Sequence, residues 1–125
     1  MVKLVFTLRR REGMTREEFQ RYWREEHAAL VQRHAETLQI RRYVQVHLRE
    51  TALDEAISAP RGSQPCSYDG TAELWWDSLE DLTAAFTTEA GQAAAKELLE
   101  DEQRFIDLPR SPLWLGEENV VIGAA

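Results

Sequence analysis

Residues 2–34 read VKLVFTLRRREGMTREEFQRYWREEHAALVQRH, and the change of period inside this stretch decides the fold. Val2, Leu4, Phe6 and Leu8 alternate with Lys3, Val5, Thr7 and Arg9, the two-residue period of a strand with one strongly apolar face. Gly13 breaks the run. Thr15 and Glu18 then make a T-x-x-E capping box, in which each side chain satisfies a backbone N–H that the helix start leaves unpaired. Met14 and Phe19 stand where a hydrophobic staple closes over that start. From there the period becomes helical. Phe19, Tyr22, Trp23, Leu30 and Val31 form an apolar stripe, with Glu26, His27 and His34 on or beside it. Arg16, Gln20, Arg24 and Glu25 fall on the wet side. A carboxylate and an imidazole on a stripe that leucine would fill better are the first hint of chemistry.

Working outward, residues 39–49 alternate again. Ile40, Val44, Val46 and Leu48 share a face with Arg42, while Arg41, Tyr43, Gln45 and His47 share the other. Residues 50–69 hold Pro60, Gly62, Ser63, Pro65 and Ser67 and read as a long loop with one helical turn near Leu53–Ile57. Asp69-Gly70 is a turn signal before a third strand, Thr71–Trp76. Ser78 and Asp81 open a second helix with Leu79, Leu82 and Phe86 on its inner side. After a restart at Thr87-Thr88-Glu89, Ala90, Ala94 and Leu98 carry a helix to about Phe105, and Glu100-Asp101-Glu102 reads as its solvated face. Pro109 and Pro112 stop it, and Leu113–Ile122 reads as a fourth strand.

The order is β-α-β-β-α-β across one domain, residues 1–125. That predicts an α+β, ferredoxin-like fold: a four-stranded antiparallel sheet with helices on one face. The other face cannot stay wet if it carries a row such as Val2, Leu4, Phe6 and Leu8. Two sheets packing face to face solve this, so a homodimer is expected. Its contact would draw on Leu4, Phe6, Val44 and Val46, with strand four and the tail Asn119–Ala125 helping to join the subunits.

Composition narrows the partners. The chain has 125 residues, 43% hydrophobic and 30% charged, with a formal net charge of -7. That length supports a core without disulfide or metal staples. The acidic balance argues against phosphate backbones and anionic membrane surfaces, which select Lys and Arg. The lone Cys66 has no intramolecular disulfide partner, which suits a reducing cytosol. The apolar N-terminal run is a strand rather than a signal peptide, and no window reaches membrane-spanning length. The expected location is cytoplasmic.

The segment Tyr22-Trp23-Arg24-Glu25-Glu26-His27-Ala28-Ala29-Leu30 resembles the W-x-x-x-H-A-x-L stretch of EthD-type proteins in the dimeric α/β-barrel superfamily. Tyr43-Val44-Gln45-Val46-His47 resembles their second-strand Y-x-Q-N-H pattern, and Tyr68 through Trp75 the stretch that opens their third strand. Glu117-Glu118 before an apolar run also fits. Three departures stand out. Thr37-Leu38-Gln39 occupies the place of a frequent Pro-Gly, Val46 replaces an Asn, and Leu74 stands where related isomerases carry a cysteine. Cys66 does not match that cysteine, which speaks against a thiol-dependent isomerase.

The resemblance implies a dimer without obligate metal or nucleotide. It implies chemistry on small aromatic, polyketide-like or lactone molecules, by oxidation, decarboxylation, dehydration or isomerisation, in bacterial catabolism or tailoring. The alternative is a non-catalytic ligand-binding or accessory protein of a degradation pathway.

His27 is the first candidate for catalysis, because a histidine on a buried stripe needs a polar partner and titrates near neutrality. The bland alternative is a core histidine bonded to a backbone carbonyl. Tyr43 and His47 join it if their face of strand two looks toward the helix; otherwise they belong to a water-satisfied polar face. Trp23, Gln45, Glu73 and Trp75 are the candidate substrate-binding residues, against the plainer readings of core tryptophans and a cross-strand ion pair of Glu73 with Arg9 or Arg41. No metal site is expected: His27 and His34 are seven residues apart, not the i, i+4 of zinc helices. No cofactor is expected, although haem ligation by His27 or His47 stays open from relatives of this fold. RNA-recognition domains share the element order but need basic charge and strand aromatics that are missing from Thr71–Trp76.

Overall fold

The computed structural model describes residues 1–124. Four strands, β1 (Val2–Leu8), β2 (Arg42–His47), β3 (Gly70–Trp76) and β4 (Leu113–Glu117), form one antiparallel sheet in the order β2-β3-β1-β4. The fold is α+β and ferredoxin-like, as the element order predicts. The fourth strand stops at Glu117, short of the expected Ile122. The tail beyond it is irregular and exposed, with Ile122 93% exposed. Ala125, part of the tail expected to join subunits, lies outside the described residues.

Register decides which face meets the helices. Leu4 stands opposite Leu74, Phe6 opposite Ala72, Tyr43 opposite Leu74 and Gln45 opposite Ala72. Phe6, Leu8 and Ala72 pack with Phe19, Trp23, Phe105 and Ile106 in one core cluster, joined by Leu4, Leu74 and Tyr43. The row Val2, Leu4, Phe6, Leu8 therefore lies under the helices and not on the open face, against expectation. Period two separates two faces without saying which one is covered, and the row with the larger apolar area went to the larger cover. The open face carries Lys3, Val5, Arg42, Val44, Val46, Glu73, Trp75 and Trp114 instead.

The first helix begins as read. Thr15 accepts from the Glu18 N–H, Glu18 accepts from the Thr15 N–H, and α1 runs Arg16–Arg21. It passes without a break into a π-helical segment, Tyr22–His27, and then α2, Ala28–His34. The buried residues are Phe19, Trp23, His27 and Val31, spaced by four. In a regular α-helix that spacing drifts by about 40° per step. The wider π turn takes up the drift and keeps all four on the sheet. Glu26 is exposed, so it leaves the stripe on which the sequence placed it.

A short turn leads into β2. Leu38 is fully buried and its carbonyl accepts the Trp76 indole N–H at 2.7 Å. Gln39 follows in the left-handed region with φ 57°, where glycine is at home. Residues 52–61 form α3 (Ala52–Ser58) and a 3₁₀ turn, Ala59–Arg61, with Leu53 and Ile57 exposed. The chain is pinned again at Asp69, which takes Arg10 at 2.6 Å and Arg16 at 3.4 Å. Gly70 next to it sits so close to β2 and helix that a Cβ would meet the Val46 carbonyl oxygen at 2.2 Å and the Trp23 ring at 2.8 Å.

The second helical layer is α4 (Leu79–Thr87) and α5 (Glu89–Glu102). Leu79 and Phe86 are 54% and 38% exposed, so the inner side of α4 is Ala85 rather than those two; Leu82 is half-buried. Here α5 folds back at once, and its Gly91 must lack a side chain, because an added Cβ would stand 1.7 Å from the Ala85 carbonyl oxygen. The helix ends at Glu102, and Phe105 beyond it is fully buried. The run Glu100-Asp101-Glu102 is not a solvated face: Asp101 is 5% exposed and Glu102 half-buried.

Candidate active site

The π segment and α5 bring a histidine and a carboxylate together inside the protein. His27 and Asp101 are each 5% exposed, and the His27 Nδ1 lies 2.7 Å from Asp101 Oδ2. Asp101 also accepts from the Tyr22 hydroxyl at 2.5 Å and the Arg104 guanidinium at 3.0 Å, both on Oδ1. Burial alone would raise the Asp101 carboxyl, but the hydrogen bonds from Tyr22 and His27, with the charge of His27 and the bond from Arg104, hold it below the ordinary range. Burial pushes His27 down, against the pull of Asp101. A neutral imidazole beside an ionised carboxylate must donate through Nδ1, which leaves a lone pair on Nε2. That nitrogen has no hydrogen-bond partner among the described residues.

His27 lines a partly enclosed cavity of about 50 Å³ between the helices and the sheet. Trp23, Val31, Tyr43, Leu74, Leu98, Glu102 and Ile106 complete most of its wall. The volume suits a few water molecules. Tyr43 and Val31 also line a surface groove of about 350 Å³ with Ala28, Gln32, Ala35 and Ile40, so these two side chains partition groove from cavity.

Tyr43 is set from behind. Gln45 donates through Nε2 to the Tyr43 oxygen at 2.8 Å and to the Trp23 carbonyl at 2.9 Å, while its Oε1 is 2.8 Å from His47 Nε2. Because the phenol oxygen accepts from Gln45, its own O–H is free to donate elsewhere. Burial pushes the phenol up, so it stays protonated at neutral pH. The Trp23 N–H is buried without a hydrogen-bond partner, although it lies near enough to the Tyr43 oxygen to oppose that rise. His47 stacks on Trp23 at 4.3 Å between ring centroids, and its Nδ1 is buried and unpaired among the described residues. Burial, then the charge of Arg24, lower its pKa.

The residues singled out in the sequence thus divide. His27, Tyr43 and Trp23 meet at the cavity. Gln45 and His47 stand behind Tyr43 and do not line it. Glu73 and Trp75 lie on the opposite sheet face. Glu73 pairs there with Lys3 at 2.6 Å, rather than with Arg9 or Arg41. Trp75 is covered by Lys3, Arg42 and Glu118. His34 reaches Glu97 at 2.9 Å on the surface.

Asp101, Glu102 and Tyr22 complete the site without having been singled out. The signal for Asp101 was present: Ala94, Leu98, Asp101 and Phe105 follow one another at four, three and four residues, the spacing of a buried stripe. Glu102 is the strangest of them. Its carboxyl is pushed up to about 7, by burial first and by the Asp101 charge second. Among the described residues no cluster of three His, Cys, Asp or Glu has metal-binding geometry, and no helix is long and apolar enough to cross a membrane.

Comparison with known proteins agrees with this architecture. Residues 11–109 match the EthD domain family. An ethyl tert-butyl ether D (EthD) family protein from Bacillus halodurans superposes with a TM-score of 0.64 at 21% identity, over 95% of this chain and 99% of that one. An EthD-like protein from Ralstonia eutropha gives 0.62 at 18%, over 99% and 95%. A dimeric protein of unknown function and ferredoxin-like fold from Bacteroides fragilis gives 0.58 at 13%, over 94% and 95%. No curated protein matches by sequence.

Proposed function

The chain belongs to the EthD domain family, and from that premise we propose that it is a small cofactor-independent enzyme of the cytosol. Its substrate is a small aromatic, polyketide-like or lactone molecule, met in catabolism or tailoring. His27 takes a proton through Nε2, and Tyr43 donates to the oxygen on which negative charge develops. Oxidation, decarboxylation, dehydration and isomerisation of such molecules share an enolate or phenolate stage that this pair can serve. The observation that carries the reading is the buried His27–Asp101 contact at 2.7 Å beside a partly enclosed cavity. A structural histidine would be satisfied by one backbone carbonyl. Here a buried carboxylate fixes the tautomer and leaves the other nitrogen without a partner among the described residues, on a side chain that lines the cavity.

The cavity is too small for an aromatic ring, so the body of the substrate lies in the groove outside Val31 and Tyr43, and only its reacting end passes between them. Thermal-shift screening with aromatic polyketide-like compounds and lactones, followed by product analysis of each hit, tests the proposal. Turnover lost in both His27→Ala and Tyr43→Phe supports it, and turnover indifferent to both sinks it. Hits that bind and emerge unchanged support the accessory-protein alternative.

The open sheet face is proposed to meet a second copy of the chain. The support is Val44, Val46 and Trp114 on that face, with Val46 and Trp114 49% and 51% exposed.

A further inference from the structure

We infer that Glu102 is a second proton-transfer group of the cavity, the acid that answers the His27 base, and that the reaction is a redox-neutral proton shift or elimination at a carbon beside a carbonyl. This rests on the reading of His27 as base. Glu102 closes α5 and lines the same cavity as His27 and Tyr43. Among the described residues it has no hydrogen bond or ion pair, unlike Asp101 beside it, which has three partners. The titratable groups around it are Tyr43 from β2, His27 from the π segment and Asp101 on its own helix; no Lys or Arg lines the cavity. An unpartnered carboxyl next to an ionised one is a poor choice for packing, and an apolar side chain would fill the place at less cost. Burial and the Asp101 charge hold it at about 7, whereas burial moves His27 the other way. Two groups in one cavity are thereby set as acid and base at the same pH.

The chemistry balances without an oxidant. The substrate C–H bond breaks, its proton goes to Nε2 of His27, and its electron pair forms an enolate held by the Tyr43 hydroxyl. In a shift, the Glu102 proton is delivered to the far carbon of that system. In an elimination, the C–O bond of a hydroxyl on the next carbon breaks, and the Glu102 proton leaves with it as water. The imidazolium then returns its proton to the Glu102 carboxylate, so both groups end as they began.

Exchange of α-hydrogen for deuterium in cyclopentanone, a small ketone from which His27 removes the proton and to whose enolate carbon Glu102, carrying a solvent deuteron, delivers that deuteron, is the test. Proton NMR in deuterium oxide follows it over a range of pH. The wild-type protein is expected to catalyse exchange with a bell-shaped profile, rising as His27 loses its proton and falling through about 7 as Glu102 loses its own. Glu102→Gln should lower the rate at least tenfold and erase the alkaline limb, and Glu102→Asp should restore the limb at reduced rate. Infrared difference spectra between wild type and Glu102→Gln give a readout independent of any substrate: a protonated-carboxyl band present at neutral pH and lost above it. Exchange that needs His27 but ignores Glu102→Gln, or a Glu102 band that titrates in the ordinary carboxylate range, overturns the Glu102 role alone. Exchange that survives His27→Ala, or no catalysed exchange at all, overturns the His27 reading and this inference with it.

Discussion

Asp101 and Glu102 are neighbours in the chain, yet their carboxyls are held at opposite ends of the range, one below ordinary values and one at about 7. The difference is hydrogen bonding: Asp101 accepts from three side chains and Glu102 from none among the described residues. It has a consequence for stability. A Glu whose folded pKa lies above its unfolded value binds more protons when folded, so stability falls as pH rises from the unfolded value of 4.5 through about 7. Glu102→Gln is therefore expected to gain on the order of 2–3 kcal/mol over wild type at pH 8 and little below pH 4.5, by urea melts at both pH values. His27 works in the opposite sense, since its lowered pKa makes the folded state lose ground as pH drops below 6.5. Little of this was legible in the sequence. His27 stood out because a polar residue interrupted an apolar period and Tyr43 because it shared the polar face of strand two with His47, whereas Asp101 and Glu102 hid in an acidic run where three carboxylates normally mean solvent. Gln39 is a second residue-scale case. It holds φ 57° where the family resemblance suggests a glycine, and Gln39→Gly should stabilise by about 1 kcal/mol in the same assay, because a side chain in that region costs roughly that much.

Among the elements, the helix start and the strands were readable, because capping and alternation are local. The π segment was not, since it answers to the sheet beneath it. Four buried residues at spacing four look like an ordinary stripe in sequence, and only packing on a flat sheet asks the backbone to widen so that Trp23 and His27 both point down. The assignment of sheet faces failed for a related reason: Val2 to Leu8 shows a strong apolar row, but what covers it lies in other parts of the chain. The Leu79 and Phe86 assignment on α4 failed because α5 folds back onto Ala85. The junction of β3 with β2 and the π segment is also tight, since a Cβ at Gly70 would meet the Val46 carbonyl oxygen and the Trp23 ring. Gly70→Ala must push the Trp23 ring or part β2 from β3, and a loss of about 1–3 kcal/mol is expected. The His47 ring stacked on Trp23 should move with it, which NMR of the imidazole would detect; an unchanged melting temperature would mean that the strands yield freely there.

For the molecule as a whole, the sheet leaves one side without cover, and that side is more polar than the sequence suggested. Lys3, Arg42, Glu73 and Glu118 surround Trp75, while Val44, Val46 and Trp114 make the apolar part. The two rows now predict different outcomes. Val46→Glu should convert a dimer to a folded monomer of 14.4 kDa in light scattering, with helical circular dichroism unchanged. Phe6→Glu should unfold the chain, because it buries a carboxylate in the core cluster. A protein that is monomeric before any substitution would remove the basis for the first outcome and for the dimer. The same arrangement makes association visible by light. Trp23, Trp75 and Trp76 are 0%, 6% and 2% exposed, so Trp114, at 51%, is the one indole of the four that water and quenchers reach freely. Acrylamide quenching of the intrinsic emission therefore reports on a single position at the open face. Dilution through the dissociation range should redden the emission and steepen the quenching plot, giving an optical titration of subunit pairing that needs no label.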